Sequence, residues 1–222
     1  MAPERTDSDY VPAAGWRSLT RLYDPVIART MREERFRSEM LRRVEADLPE
    51  GGTAVDVGCG TGTFALALKQ RRPDARVIGV DGDEEILALA QAKAGAGEVE
   101  WREGLAQELP VEGDSADAVT TSLMLHHLLP EDKRKGLAEM KRILEPGGHL
   151  HVADWGRPSD PLMSGLFYIV QVADGFDRTA DHRAGRLPSF IEAAGFDSPE
   201  RYGRFRTAFG VVEMLRAGTN GP

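Results

Sequence analysis

The sequence predicts an α/β fold in which a parallel sheet carries helices on both faces. Short apolar runs of strand length alternate with helical patterns between residues 53 and 154. The first run, Thr53 to Val57, passes directly into a glycine-rich turn, Gly58-Cys59-Gly60-Thr61-Gly62, that opens a helix. An acidic residue, Asp81, closes the next run. Ligands of such sheets sit at the carboxyl ends of the strands. Gly58, Asp81, Leu105, Ser122 and Asp154 all fall just past a predicted strand end.

Residues 1–15 carry no helix or strand pattern and read as loosely held. Asp24-Pro25 is a helix start, a capping residue followed by proline at the first helical position. Val26, Ile27, Met31, Phe36, Met40, Leu41, Val44 and Leu48 recur at helical spacing, so one or two helices precede the core. Strand 1 covers 53–57, and a helix from Gly62 is stopped by Pro73. Strand 2 is 76–80. A helix over 83–94 ends at Gly95. Strands follow at 98–103 and 116–122. A helix from Pro130 places Leu137, Met140, Ile143 and Leu144 on one face, and Pro146-Gly147-Gly148 is expected to end it before a strand at 149–154. Residues 155–185 break the alternation. A short helix at 187–194 is stopped by Gly195, and the tail from Ser198 reads as two strands and a turn.

With 222 residues the chain is long enough for one domain with a sizeable core. The formal net charge of −8 disfavours nucleic acid and anionic membrane as partners. Cys59 is the single cysteine, so no internal disulfide forms and a cytoplasmic protein is expected. The N-terminus MAPERTDSDY is polar and unlike a secretory leader, and no apolar run is long enough to span a bilayer. Monomer and homodimer are equally open.

The glycine turn and Asp81 carry the chemistry. Glycines at alternate positions let the backbone approach a ligand, in space that a side chain at any of the three is expected to occupy. The following helix directs unpaired N–H groups at the turn, where an anion or carboxylate can sit. An acidic residue at the end of the second strand is placed to grip a pair of ribose hydroxyls. Together they point to a nucleoside-containing cofactor.

Four blocks in order carry a resemblance: VDVGCGTG, VIGVDGDEEIL, GLAQELPVEGDSADAVTTSLMLHHL and MKRILEPGGHLHVADW. Over about residues 53–155 the chain resembles class I S-adenosylmethionine-dependent methyltransferases, in the small-molecule subgroup similar to ubiquinone/menaquinone C-methyltransferases. The resemblance implies a Rossmann-like, doubly wound seven-stranded sheet, six strands parallel and the last antiparallel, with an N-terminal helical lid. Residues 1–50 would form that lid and 51–222 the core, with 155–186 inserted on the substrate side. It also implies S-adenosylmethionine as cofactor, S-adenosylhomocysteine as product and a small-molecule methyl acceptor.

Carried over by position, Asp56 and Gly58 would lie near the methionine amino group. Cys59, Gly60 and Gly62 would hold the turn against the cofactor. Asp81 would bind the ribose hydroxyls, and Gly82 and Asp83 would line the ribose and adenine edge. Leu105 and Ala106 would border the adenine, and Ser122 and Leu123 the methionine end. Leu105 departs from the family, which often carries aspartate there to accept a hydrogen bond from the adenine amino group.

His126 and His127 follow strand 4 and are expected at the mouth of the site. Either is a candidate general base, since imidazole titrates near neutrality, or else shapes the pocket. Asp154 ends strand 5 on the expected substrate side, where it serves catalysis or bonds a loop. His182 lies in the unpatterned segment and is a further base candidate. His149 and His151 share a strand face, but no third ligand is spaced to complete a metal site, so no metal is assigned. Tyr10, Trp16, Tyr23, Phe167, Tyr168 and Phe176 either line the acceptor pocket or pack a lid.

A nicotinamide oxidoreductase is the nearest different chemistry. Its fingerprint wants glycine or alanine where this chain has Thr63. A cofactor-binding protein without catalysis is the third reading. Nucleic-acid methylation is disfavoured, because Ser122-Leu123-Met124-Leu125 stands where an Asn-Pro-Pro-Tyr type motif would be.

Overall fold

The computed structural model describes residues 33–93 and 95–219. Its sheet has seven strands: β1 (Thr53–Val57), β2 (Arg76–Asp81), β3 (Glu100–Glu103), β4 (Ala116–Ser122), β5 (Leu144–Trp155), β6 (Glu200–Arg206) and β7 (Val211–Gly218). The spatial order is β3-β2-β1-β4-β5-β7-β6. β7 is antiparallel to both of its neighbours and every other pairing is parallel, so six strands run one way and the last runs back. This is the doubly wound arrangement that the sequence led one to expect. The chain winds outward in both directions from β1, so a crevice opens at the carboxyl ends of β1 and β4.

Alternation along the strands divides the core in two. Val55, Val57, Ile78, Val80 and Val119 face one helical layer, and Ala54, Val77 and Ala118 face the other. Against the second face lies α1 (Glu33–Asp47), whose Phe36, Met40 and Val44 are fully buried at four-residue spacing. Phe64, Ala65 and Leu68 of α2 (Thr63–Arg71) join the same cluster. Asp47 at the end of α1 accepts two hydrogen bonds from the Arg216 guanidinium on β7, at 2.6 and 2.8 Å. Residues 1–32 lie outside the described residues, and with them Tyr10, Trp16, Tyr23 and the expected start at Asp24-Pro25.

Two element ends differ from expectation. α3 (Glu84–Gln91) stops three residues early, and Gly95 instead opens a short 3-10 turn at Ala96–Glu98. α4 (Pro130–Ile143) ends before Pro146-Gly147-Gly148, because Leu144 already pairs with Ala116 of β4. The Pro-Gly-Gly segment is extended. The Gly147 N–H donates to Thr219 Oγ1 and the Thr219 N–H to the Gly148 carbonyl, so tertiary pairing replaces the expected helix stop.

The unpatterned residues after β5 fold as two helices, α5 (Pro161–Asp174) and α6 (Phe176–Ala184), followed by α7 (Leu187–Ala193). Asp160 caps α5 by accepting from the Met163 N–H. Phe167 is fully buried against Trp155, whereas Tyr168 and Phe176 stack edge to face on the exposed side. Among the described residues no helix is long and apolar enough to cross a membrane.

Candidate active site

The glycine turn is stitched to the end of β2. The Gly58 and Cys59 N–H groups both donate to the Val80 carbonyl, at 2.8 and 3.0 Å. The Gly60 N–H donates to Asp81 Oδ2 at 2.8 Å, and the Asp83 N–H donates to Asp81 Oδ1 at 3.0 Å. The Gly104 N–H reaches the Asp81 carbonyl, which brings the segment ahead of Leu105 and Ala106 to the same rim. Asp83 Oδ1 accepts from the Glu85 and Ile86 N–H groups, so its carboxylate is engaged as the cap of α3.

All three glycines have positive φ, but only one faces open space. A Cβ on Gly58 would meet Met124 Cγ at 2.4 Å, and one on Gly62 would meet the Trp101 ring at 2.3 Å. A Cβ on Gly60 would meet nothing within 4 Å. The expectation that all three clear space for a ligand is corrected. Gly58 and Gly62 make room for Met124 and Trp101, and Gly60 alone borders free space, beside Asp81. That open cradle fits a nucleoside cofactor. Lys93, which sequence reasoning passed over, braces the turn from outside by donating to the Thr61 carbonyl at 2.6 Å.

Asp56 is buried beneath the turn and accepts from the Thr120 hydroxyl at 2.8 Å. Burial pushes its carboxyl up to about 7. The Cys59 thiol is raised far above its ordinary value by burial and the carboxylates around it, so it is inert as a nucleophile. Leu105 is half exposed at the rim. Leu123 follows Ser122 in the left-handed region, φ 52°, and its N–H donates to the Ala153 carbonyl. That strained residue turns the chain off β4 into a single turn, Leu125–His127, whose preceding residue Met124 lies over Gly58.

This turn carries two of the catalytic candidates, and the structure gathers the other two around it. His126 is not at the mouth as expected. It is buried, and its Nδ1 lies 2.8 Å from Asp154 Oδ1 at the end of β5. His182 is also fully buried. Its Nδ1 donates to the Trp155 carbonyl at 2.7 Å and lies 3.9 Å from Asp154. His127 keeps a quarter of its side chain exposed. Burial would raise the Asp154 carboxyl, but the neighbouring His126 and the Trp155 N–H hold it below the usual carboxylate range. Burial keeps His127 and His182 uncharged, down to about 3 and about 4. Asp174, the last residue of α5, closes the cluster from the segment that had no legible pattern. Its carboxylate lies 3.7 Å from His126 Nε2 and 3.5 Å from His127 Nδ1. By contrast, His151 is buried 3.1 Å from Asp47 on the far layer. A shallow hollow lined by Arg157, Ser159, Asp160, Ser164 and Arg183 lies past β5 and does not touch the glycine turn.

A family model described as a methyltransferase domain matches residues 54–148. A demethylmenaquinone methyltransferase of Deinococcus radiodurans is 35% identical over 172 residues, covering 75% of this chain and 70% of that protein. The chain belongs to the class I S-adenosylmethionine-dependent methyltransferases. A demethylmenaquinone methyltransferase of Thermus thermophilus is 34% identical over 179 residues, covering 74% of this chain and 77% of that protein. Among solved structures, magnesium protoporphyrin IX methyltransferase of Synechocystis, with bound S-adenosylhomocysteine, aligns with a TM-score of 0.69 at 21% identity. That alignment covers 90% of this chain and 92% of that one, and it speaks for the fold. As a methyltransferase of this family, the protein uses S-adenosylmethionine to methylate a small molecule; none of these matches supports a nicotinamide oxidoreductase or a non-catalytic binder.

Proposed function

We propose that the cofactor lies along the Gly58–Gly62 turn and that the acceptor meets it under the Leu125–His127 turn. The observation that carries this is the Asp81 carboxylate, tied to the Gly60 N–H beside the one open glycine. Asp81 retains lone pairs for the two ribose hydroxyls. Gly82, Asp83, Leu105 and Ala106 line the adenine side, the last two without a side-chain acceptor for the adenine amine. Asp56, with Gly58, receives the methionine amine, and Ser122 and Leu123 border the methionine end. The bound cofactor supplies a sulfonium methyl that is already activated for displacement.

The protein's own work is to place the acceptor in line, exclude water and accept a proton. We assign the acceptor to the hydroxylated aromatics, of which a quinol is the type that the relatives' names suggest. Such a group is nucleophilic once its hydroxyl proton leaves. The His126, His127, Asp154 and His182 cluster supports that reading, because the buried imidazoles of His126 and His182 flank the Asp154 carboxylate and the partly exposed His127 lies beside them. We also propose a cytoplasmic location, a reading that the single cysteine, which can form no internal disulfide, favours.

Calorimetry with S-adenosylhomocysteine, with NAD as comparator, tests the cofactor site. Micromolar binding of the first and none of the second is expected, and binding of NAD alone would overturn the assignment. Hydroquinones and phenols form the acceptor screen that follows.

A further inference from the structure

His126 and His127 stand beside one carboxylate, Asp174, that bonds neither of them. His126 Nδ1 meets Asp154 Oδ1 at 2.8 Å, so its other nitrogen, Nε2, is the one turned to Asp174, with Oδ2 at 3.7 Å. His127 Nδ1 faces the other oxygen, Oδ1, at 3.5 Å. Neither contact is a hydrogen bond. Three potential ligand atoms therefore lie within 4.8 Å of one another.

We propose that His126 Nε2, His127 Nδ1 and the Asp174 carboxylate bind a divalent first-row transition ion, and that this ion holds the acceptor hydroxyl. The inference rests on the acceptor side assigned above. Bonds of about 2.0–2.1 Å at tetrahedral angles set ligand atoms about 3.4 Å apart; His126 Nε2 stands 3.7 Å from Oδ2 of Asp174 and His127 Nδ1 3.5 Å from Oδ1, so binding through a single oxygen takes a small turn of the carboxylate. Asp154 bonded to the remote nitrogen of His126 is the carboxylate–histidine arrangement that orients metal ligands and strengthens their donation. The turn is closed by the His127 N–H donating to the Met124 carbonyl, so both imidazoles sit on fixed backbone.

Charge also favours a cation. Asp174 ends α5, where the helix presents its carbonyls. Asp154 and Asp174 flank the two rings, with Arg178 the nearby cation. Lys133 is already committed to the Arg178 carbonyl and to Asp181. Three protein ligands leave a coordination position open, as catalytic sites do. An acceptor hydroxyl bound there would release its proton at lower pH, as metal-bound water does. The proton passes to solvent, and the methyl group then moves from the sulfonium to the acceptor, with S-adenosylhomocysteine as the leaving group.

Untagged protein, stripped with chelator and titrated with Co2+, tests this through its visible spectrum. One Co2+ per chain with imidazole–carboxylate bands is expected. His127→Ala and Asp174→Asn should each lower Co2+ affinity at least tenfold. Asp154→Asn should lower it by about 10- to 100-fold, and His149→Ala should leave it unchanged. S-adenosylhomocysteine affinity serves as the control for folding and should persist in every variant. Absence of stoichiometric Co2+ binding in protein that binds S-adenosylhomocysteine would overturn the proposal, as would full binding in both His127→Ala and Asp174→Asn. Stoichiometric Co2+ binding without S-adenosylhomocysteine binding would support the metal site while refuting the cofactor assignment.

Discussion

Asp81 and Gly60 are joined by a hydrogen bond from the Gly60 N–H to Oδ2 at 2.8 Å, across the gap between the glycine turn and the end of β2. One carboxylate thus sets the shape of the turn, and it is the group proposed to bind the ribose. Asp81→Ala removes that carboxylate. S-adenosylhomocysteine affinity should fall by about 2–3 kcal/mol, the scale of lost hydrogen bonds to a charged group. Calorimetry checks this, and unchanged affinity would sink the ribose assignment.

The three glycines should separate by mechanism. Gly60→Ala meets open space, so its cost to folding is limited to the left-handed backbone, about 1 kcal/mol. Its added methyl enters the cradle and should weaken cofactor binding at least tenfold. Gly58→Ala and Gly62→Ala collide with Met124 and Trp101 and should lower the melting temperature more than Gly60→Ala does. Thermal melts paired with binding titrations distinguish the two classes.

If Asp56 receives the cofactor amine, as proposed, cofactor binding is pH-dependent. Its carboxyl sits at about 7 in the free protein because burial favours the neutral form. The cofactor amine selects the ionised form, so binding drives a proton off below that pH. Affinity should rise from pH 6 to pH 8 and level off above. Calorimetry in buffers of different ionisation enthalpy should register proton release near pH 6.5, and Asp56→Asn should abolish the release.

The Asp47–Arg216 pair ties α1 to the sheet. Burial alone would raise the Asp47 carboxyl, but His151 and the Arg216 guanidinium outweigh it and hold it well below the usual carboxylate range. A depressed folded pKa stabilises at pH values above the unfolded value of 3.8 and loses that contribution as the pH falls below it. Asp47→Asn should cost about 1–3 kcal/mol at neutral pH, and the difference from wild type should shrink in acid denaturation near pH 3.

Legibility followed the range of the interaction. Val55, Val57, Ile78 and Val80 announce strands because alternation is a property of a few consecutive residues. The glycine turn and Asp81 were legible for the same reason: a φ-demanding turn after a strand and an acid at the next strand end are local patterns. The reason for each glycine was not legible. Met124 and Trp101, which exclude side chains at Gly58 and Gly62, lie far along the chain. The end of α4 was misplaced because pairing of Leu144 with Ala116 overrode the local Pro-Gly-Gly signal.

The sequence by itself determined the sheet, its glycine turn and the methyltransferase family, since periodicity, backbone preference and ordered motifs are written in neighbouring residues. Tertiary structure alone decided that His126 is buried, that Asp154 orients it and that Asp174 faces both histidines. Those side chains come from β5, the turn after β4 and the end of α5. Only the packing of α5 and α6 over the strand ends brings them within reach, and no spacing along the chain encodes that contact.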